Sequence, residues 1–118
     1  MKYLCLIYRD EHALATMSPE QLGTIRGEYL AFADDIRSRG NLVAGQALQP
    51  STAATTIRVR DGKVLTTDGP FAETKEQLGG FFLIEAKDLN EAIQLAARIP
   101  GARFGAVEVR PVMVLDQA

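Results

Sequence analysis

Acid–base chemistry near neutral pH needs a histidine or a carboxylate with a displaced pKa. The chain offers one histidine, His12, and one dense group of charges in the segment from Asp68 to Glu76. Asp68, Glu73, Lys75 and Glu76 fall close together there, and closely spaced carboxylates in a partly dry cleft push their pKa values apart, which makes one an acid and another a base. In that reading the segment rims a cleft beside a sheet. Asp68 and Glu76 act as the base or as hydrogen-bond acceptors, while Lys75 and Arg110 hold an anionic group. The ligand-binding set is then Asp68, Glu73, Lys75, Glu76 and Arg110, with Asp68 and Glu76 the candidate catalytic groups. The same residues also have a structural explanation. Asp68-Gly69-Pro70 is a turn sequence in which Asp bonds its own backbone, Gly takes unusual dihedrals and Pro sets the next φ. Glu73, Lys75 and Glu76 can form a solvated face with local ion pairs worth a fraction of a kcal/mol. His12 lies in a polar stretch and reads as a surface residue.

Other chemistries find less support. Cys5 is the single cysteine and sits in an apolar run, where it reads as a small buried hydrophobe that cannot form an internal disulfide. One His and one Cys give no metal-ligand spacing, and no Gly-x-Ser-x-Gly elbow or Gly-rich phosphate loop is present; Gly79-Gly80 alone is too little. We expect no cofactor and no metal. A net charge of −2 with no Lys/Arg cluster argues against direct nucleic-acid binding. The apolar stretch after Met1 is too short for a signal peptide or a membrane span, so a cytoplasmic protein without membrane association is expected.

The elements that must position these residues are legible as patterns. Residues 2–9 form a strand apolar on both faces, with Tyr3, Cys5 and Ile7 on one and Leu4, Leu6 and Tyr8 on the other. Ser18, Pro19 and Gln21 open a helix whose stripe is Leu22, Ile25, Tyr29, Phe32 and Ile36, with Gly40 as its stop. A short strand follows at 42–48, then a hairpin from 54 to 67 turning at Asp61-Gly62. A strand spans 81–86, and a helix starts at Asp88 with Leu89, Ala92, Ile93, Ala96 and Ala97 inward and Pro100-Gly101 at its end. The last strand runs from Ala106 to Leu115. With the hairpin set aside as an insertion, the order β-α-β-β-α-β predicts a single α+β domain over 1–118 with a ferredoxin-like core. Both helices then cover one sheet face. The other face stays apolar, and a second copy of the same sheet is its simplest cover, so a homodimer is expected, with Phe71, Phe81 and Phe82 in the core or at the interface.

The stretch Thr67-Asp68-Gly69-Pro70-Phe71-Ala72-Glu73-Thr74-Lys75-Glu76-Gln77-Leu78-Gly79-Gly80 closely resembles the signature of the DGPF branch of the YCII-related proteins. Met1-Lys2-Tyr3 leading into Leu6-Ile7-Tyr8 looks like that family's first strand, and Val107 to Val112 like its last. The resemblance implies a dimeric α+β barrel of ferredoxin-like protomers. It does not imply one reaction: some YCII-related proteins act as small enzymes through a His–Asp pair, one branch acts in dechlorination of aromatic compounds, and others occur beside or fused to alternative sigma factors. The His–Asp pair has no counterpart here. Residues 18–39 lack a histidine, the place of the family's Asp-Pro motif reads Arg98-Ile99-Pro100-Gly101, and Arg103 and Phe104 stand where many DGPF-type sequences have a histidine.

Two functions follow as expectations. One is a non-catalytic dimeric module acting with a transcription-related protein partner such as a sigma-factor system. The other is a cofactor-free enzyme or ligand-binding protein for a small anionic or aromatic molecule, with the carboxylate- and lysine-lined cleft described above.

Overall fold

The structure, a computed structural model, describes residues 1–115. In chain order it contains β1 (Lys2–Arg9), α1 (Glu11–Ala15), α2 (Pro19–Ser38), β2 (Leu42–Ala47), β3 (Thr55–Arg60), β4 (Lys63–Asp68), β5 (Gln77–Glu85), α3 (Leu89–Ala96) and β6 (Ala106–Pro111), with 3₁₀ turns at Ser51–Ala53 and Pro100–Arg103. Four strands make one antiparallel sheet in the order β2–β5–β1–β6, and β3 pairs with β4 alone. Without the hairpin, this mixed α+β topology is compatible with the ferredoxin-like arrangement read from the sequence. Among the described residues no helix is long and apolar enough to cross a membrane.

The register sorts side chains by face, because residues directly opposite in antiparallel strands point the same way. Tyr3, Cys5 and Ile7 of β1 share a face with Phe82 and Ile84 of β5 and with Val107 and Val109 of β6. These pack with Phe32 and Ile36 of α2 and with Ala92, Leu95 and Ala96 of α3 into one core, completed by Ile99. Gly45 of β2 leaves room for the Phe82 ring, which meets Phe32 edge-on at 5.2 Å between centroids. On the opposite face Leu4 stands beside Leu83 and Arg110, and Leu6 beside Phe81 and Glu108. Both long helices lie on the first face, so this second apolar strip is uncovered.

The local signals act as their chemistry dictates. Ser18 Oγ accepts from the Gln21 N–H at 3.1 Å, and Gln21 Oε1 accepts from the Ser18 N–H at 2.9 Å, a reciprocal capping box. At the other end of α2, Gly40 takes φ +80, and the N–H groups of Gly40 and Asn41 close back on the Arg37 and Ile36 carbonyls. Asp61 and Gly62 both have positive φ, the geometry of a two-residue type I′ hairpin turn.

Four elements differ from the sequence expectation. The polar stretch around His12 contains α1, because the Asp10 carboxylate caps the N–H groups of His12 and Ala13 as soon as β1 ends. β5 begins at Gln77 rather than Phe81, since Gly79 and Gly80 lie inside the strand. A Cβ on Gly80 would sit 2.7 Å from the Gln46 carbonyl oxygen, so glycine there permits the pairing with β2. The buried side of α3 is Ala92, Leu95 and Ala96, while Leu89 and Ile93 are about half exposed. Leu95 thus joins the two alanines against the core, and Leu89 and Ile93 fall on the outer side. Finally, β6 stops at Pro111, and Val112 to Leu115 run on exposed.

Two glycines predict opposite outcomes in urea denaturation. Nothing lies within 4 Å of a Cβ on Gly23 in α2, so Gly23→Ala is expected to raise stability by about 0.5–1 kcal/mol by restricting the unfolded chain. Gly80→Ala is expected to lower it by about 1–3 kcal/mol, because the Gln46 backbone must move.

Candidate functional site

The structure disperses the residues singled out from the charge pattern. Asp68 ends β4 and is exposed, and Glu73 and Lys75 are exposed in the loop that follows. The loop is tied down by its neighbours: Gly69 N–H donates to the Ala54 carbonyl at 2.7 Å and Thr56 Oγ1 to the Gly69 carbonyl at 2.9 Å. Arg110 lies on the open sheet face, bonded to Glu108. It pairs with Leu4, whereas the start of β5 pairs with Arg9, five residues along β1, so Arg110 and Glu76 are separated by about 17 Å. Phe71 is exposed and stacks against the Arg58 guanidinium at 5.4 Å. Of the set, only Glu76 turns inward. Its Oε2 lies 3.1 Å from the place of a Cβ on Gly105, a point equally close to Arg9 Cα.

Glu76 therefore sits at the end of the sheet where β1 finishes, and the chain crowds there. The register shifts between Ile7 and Tyr8, leaving Gly79 as an extra residue in a bulge. The missing side chain of Gly79 is replaced by the Arg9 side chain, whose Nε occupies the space a Cβ would need. Gly105 similarly makes room for the Tyr8 carbonyl. Gly101 meets Tyr29 Oη, 2.7 Å from the place of its absent Cβ. Three glycines thus let the end of β1, the start of β5 and the turn before β6 close on one another.

Between this end of the sheet, α1 and the first half of α2 lies a cavity of about 50 Å³. Its wall is mainly apolar, from Leu14, Met17, Ile25 and Phe104, with Arg9, Tyr29 and Asp10 as polar groups, the Asp10 carboxylate being engaged in capping α1. Arg9 Nε is buried and has no hydrogen-bond partner among the described residues. Burial pushes the Tyr29 phenol above its ordinary value, while a hydrogen bond from the Gly101 backbone and the charges of Arg9 and Arg103 pull it down less strongly. The phenol is thus protonated at neutral pH, and because its oxygen accepts from Gly101, its proton is free to be donated. A guanidinium and a phenol O–H beside an apolar wall can bind a small anion.

The other basic groups nearby are satisfied. Arg103 reaches both Glu28 carboxylate oxygens at 2.8 and 2.9 Å and lies over the Phe104 ring. Arg98 reaches Asp35 Oδ2 at 2.6 Å and holds that carboxyl below its usual value. These two arginines line a second, broader hollow of about 290 Å³ with Glu28 and Phe32, where their charge is already matched. Cys5 is fully buried in the core, and burial pushes its thiol up to about 11, so it is inert. His12 is exposed on α1. Among the described residues no group of three or more His, Cys, Asp or Glu is placed to hold a metal ion.

Sequence reading overlooked Arg9 and Tyr29. By pattern alone Tyr29 belongs to the apolar stripe of the helix and Arg9 is the last residue of the 2–9 strand. The available signals were a phenol as the only polar member of that stripe and the paired glycines at 79–80, which mark a close approach.

The comparisons with known proteins agree with the resemblance. The YCII-related domain matches residues 1–116. An uncharacterized protein of Rhizobium meliloti (strain 1021), R00369, is 39% identical over 114 residues, covering 95% of this chain and 92% of that protein.

Tyr29 makes a prediction about alkaline stability. Its folded pKa is raised above the ordinary 10.0, so its contribution is intact below that value and is lost as pH rises past it, where the unfolded chain releases the proton first. Urea midpoints measured from pH 8 to 11 are expected to fall less steeply in Tyr29→Phe than in the wild type.

Proposed function

The chain belongs to the YCII-related family, and from that premise we propose that it is a homodimeric protein that binds a small organic anion in the cavity at the end of β1. One observation carries this reading: Arg9, whose buried Nε has no partner among the described residues, lines the same cavity as Tyr29. An unsatisfied buried donor costs about 1–3 kcal/mol, and folds retain such a group where something outside the fold completes it. The anion meets Arg9 and the Tyr29 O–H, and its apolar portion lies against Leu14, Met17, Ile25 and Phe104. Glu76 is the one carboxylate of the sequence-derived set that turns toward this end of the sheet, its Oε2 lying near the Arg9 backbone. Asp68, Glu73 and Lys75 stand in the loop leading to it, and the Asp68-Gly69-Pro70-Phe71 motif of that loop supports a place in the DGPF branch.

The dimer in this proposal joins the open sheet faces of two copies, with Leu4, Leu6, Phe81 and Leu83 at the centre and the Glu108–Arg110 pair at the margin. Burying such side chains yields about 1.5–3 kcal/mol each when complete, which is the driving force for the dimeric α+β barrel.

A second reading, a module acting through a transcription-related partner such as a sigma-factor system, is favoured by Leu89 and Ile93. They present about half of their surface on the outer side of α3. If that reading is correct, Leu89→Ser/Ile93→Ser loses a co-purifying protein while anion binding is kept.

A thermal-shift panel of short aliphatic and aromatic carboxylates tests the anion site. A ligand at a hundred times its dissociation constant adds about 2.7 kcal/mol, about 4 °C or more in a domain this small. The shift is expected to disappear in Arg9→Gln and to shrink in Tyr29→Phe. In the wild type, affinity is expected to hold from neutral pH to about 10 and to fall above it as the phenol ionises and repels the anion. A flat panel, or shifts unchanged in Arg9→Gln, would refute the assignment.

A further inference from the structure

The β3–β4 hairpin stands apart from the body of its own chain. It packs chiefly on itself and is tied at its root through Ala54, Thr56 and Gly69. One of its faces carries Thr56, Arg58, Arg60, Lys63 and Leu65, with Phe71 stacked on Arg58. On the other, Val59 stands opposite Val64 and Ile57 opposite Thr66. Ile57, Val59 and Val64 are 63%, 57% and 67% exposed. An isolated two-stranded hairpin is marginally stable in water, and three β-branched side chains in a row on a free face add an aggregation hazard unless something covers them.

The dimensions say what covers them. The radius of gyration is 16.4 Å, against about 13–14 Å for a compact chain of this length, and the molecule is a slab of 51 × 47 × 19 Å. The hairpin therefore extends the slab sideways instead of folding over it. Four strands at about 4.8 Å spacing and about six residues of 3.4 Å rise give a sheet face of roughly 400 Å². That is half of the about 800 Å² each partner buries in a stable interface. A hairpin face adds roughly 200 Å². In a twofold pairing each protomer contributes that face and an equal area beneath its partner's hairpin, which closes the difference.

We propose that the Ile57–Val59–Val64 face of the hairpin is an arm that clasps a second copy of this chain, so that the interface consists of the open sheet faces and two reciprocal arms. This rests on the sheet-face dimer proposed above and adds to it where the hairpin goes. The arm, inserted between β2 and β5, is then an association device, and its basic face with Phe71 remains turned to solvent.

Sedimentation equilibrium on three proteins separates the two ideas. In Ile57→Thr/Val59→Thr/Val64→Thr the side chains keep their β propensity and touch no core residue, so the protomer stays folded. Its dimer dissociation constant is expected to rise at least tenfold over the wild type. Leu6→Glu, on the sheet face, is expected to be monomeric. Hydrogen exchange supplies the second readout: hairpin amides are expected to be protected in the wild-type dimer and to lose protection in Leu6→Glu, while those of β1 and β5 keep theirs. A wild type that is monomeric at tens of micromolar would overturn both the sheet-face dimer and the arm. A triple variant that dimerises like the wild type, or hairpin amides that exchange equally fast in wild type and Leu6→Glu, would overturn the arm alone and leave the hairpin to another partner.

Discussion

The rest of the molecule depends on a mismatch between sheet and helices. β1 and β5 are apolar on both faces, yet the chain has only two long helices, and both pack against the same side. α2 itself covers the sheet with its second half only. Phe32 and Ile36 are buried, whereas Leu22 is exposed and Ile25 and Tyr29 are partly so. From this shortage follow the two features that invite a function. One is an uncovered apolar strip on the far face. The other is a gap beside the first half of α2, which α1 borders without filling.

That gap is a candidate site because of what the backbone does beside it. Gly79, Gly101 and Gly105 each lack a side chain where another group has taken the space: the Arg9 guanidine, the Tyr29 hydroxyl and the Tyr8 carbonyl. The close approach holds Arg9 in place, and its Nε finds no hydrogen-bond partner among the described residues. Arg98 and Arg103, on either side of Gly101, find Asp35 and Glu28. The contrast matters more than any single contact. Among the described residues the Arg9 Nε is the buried side-chain donor left unmatched, and its residue lines a mainly apolar cavity.

The backbone plan was legible because its signals are local. Ser18-Pro19 with Gln21, Gly40, Asp61-Gly62 and Asp88 each act within one turn of chain, and each forms the cap or turn its chemistry favours. What the sequence conceals is tertiary. The inner side expected for α3, Leu89, Ala92, Ile93, Ala96 and Ala97, keeps Ala92 and Ala96 and gains Leu95, while Leu89, Ile93 and Ala97 are exposed, because helical spacing alone does not say which arc meets the sheet. The charged run at 68–76 drew attention through density alone, but density says nothing of direction, and only Glu76 turns toward the sheet end. Arg9 and Tyr29 are twenty residues apart and come together through a β-bulge that no local pattern announces.

One polar cluster joins the two halves of the functional reading. The Glu11 carboxylate accepts the Ser51 N–H with both oxygens, at 3.0 and 2.8 Å, and the Glu11 N–H donates to Gln77 Oε1 at 2.9 Å. Gln77 in turn donates to the Thr74 carbonyl. The first turn of α1, which roofs the cavity, is thereby fastened to the turn that leads into the hairpin and to the loop that returns from it. Charge-assisted bonds to backbone N–H groups are among the stronger ones available to a small domain. The hairpin root and the cavity roof are therefore not independent surface features. They share an anchor, so the position of the hairpin and the shape of the cavity are set by the same few hydrogen bonds.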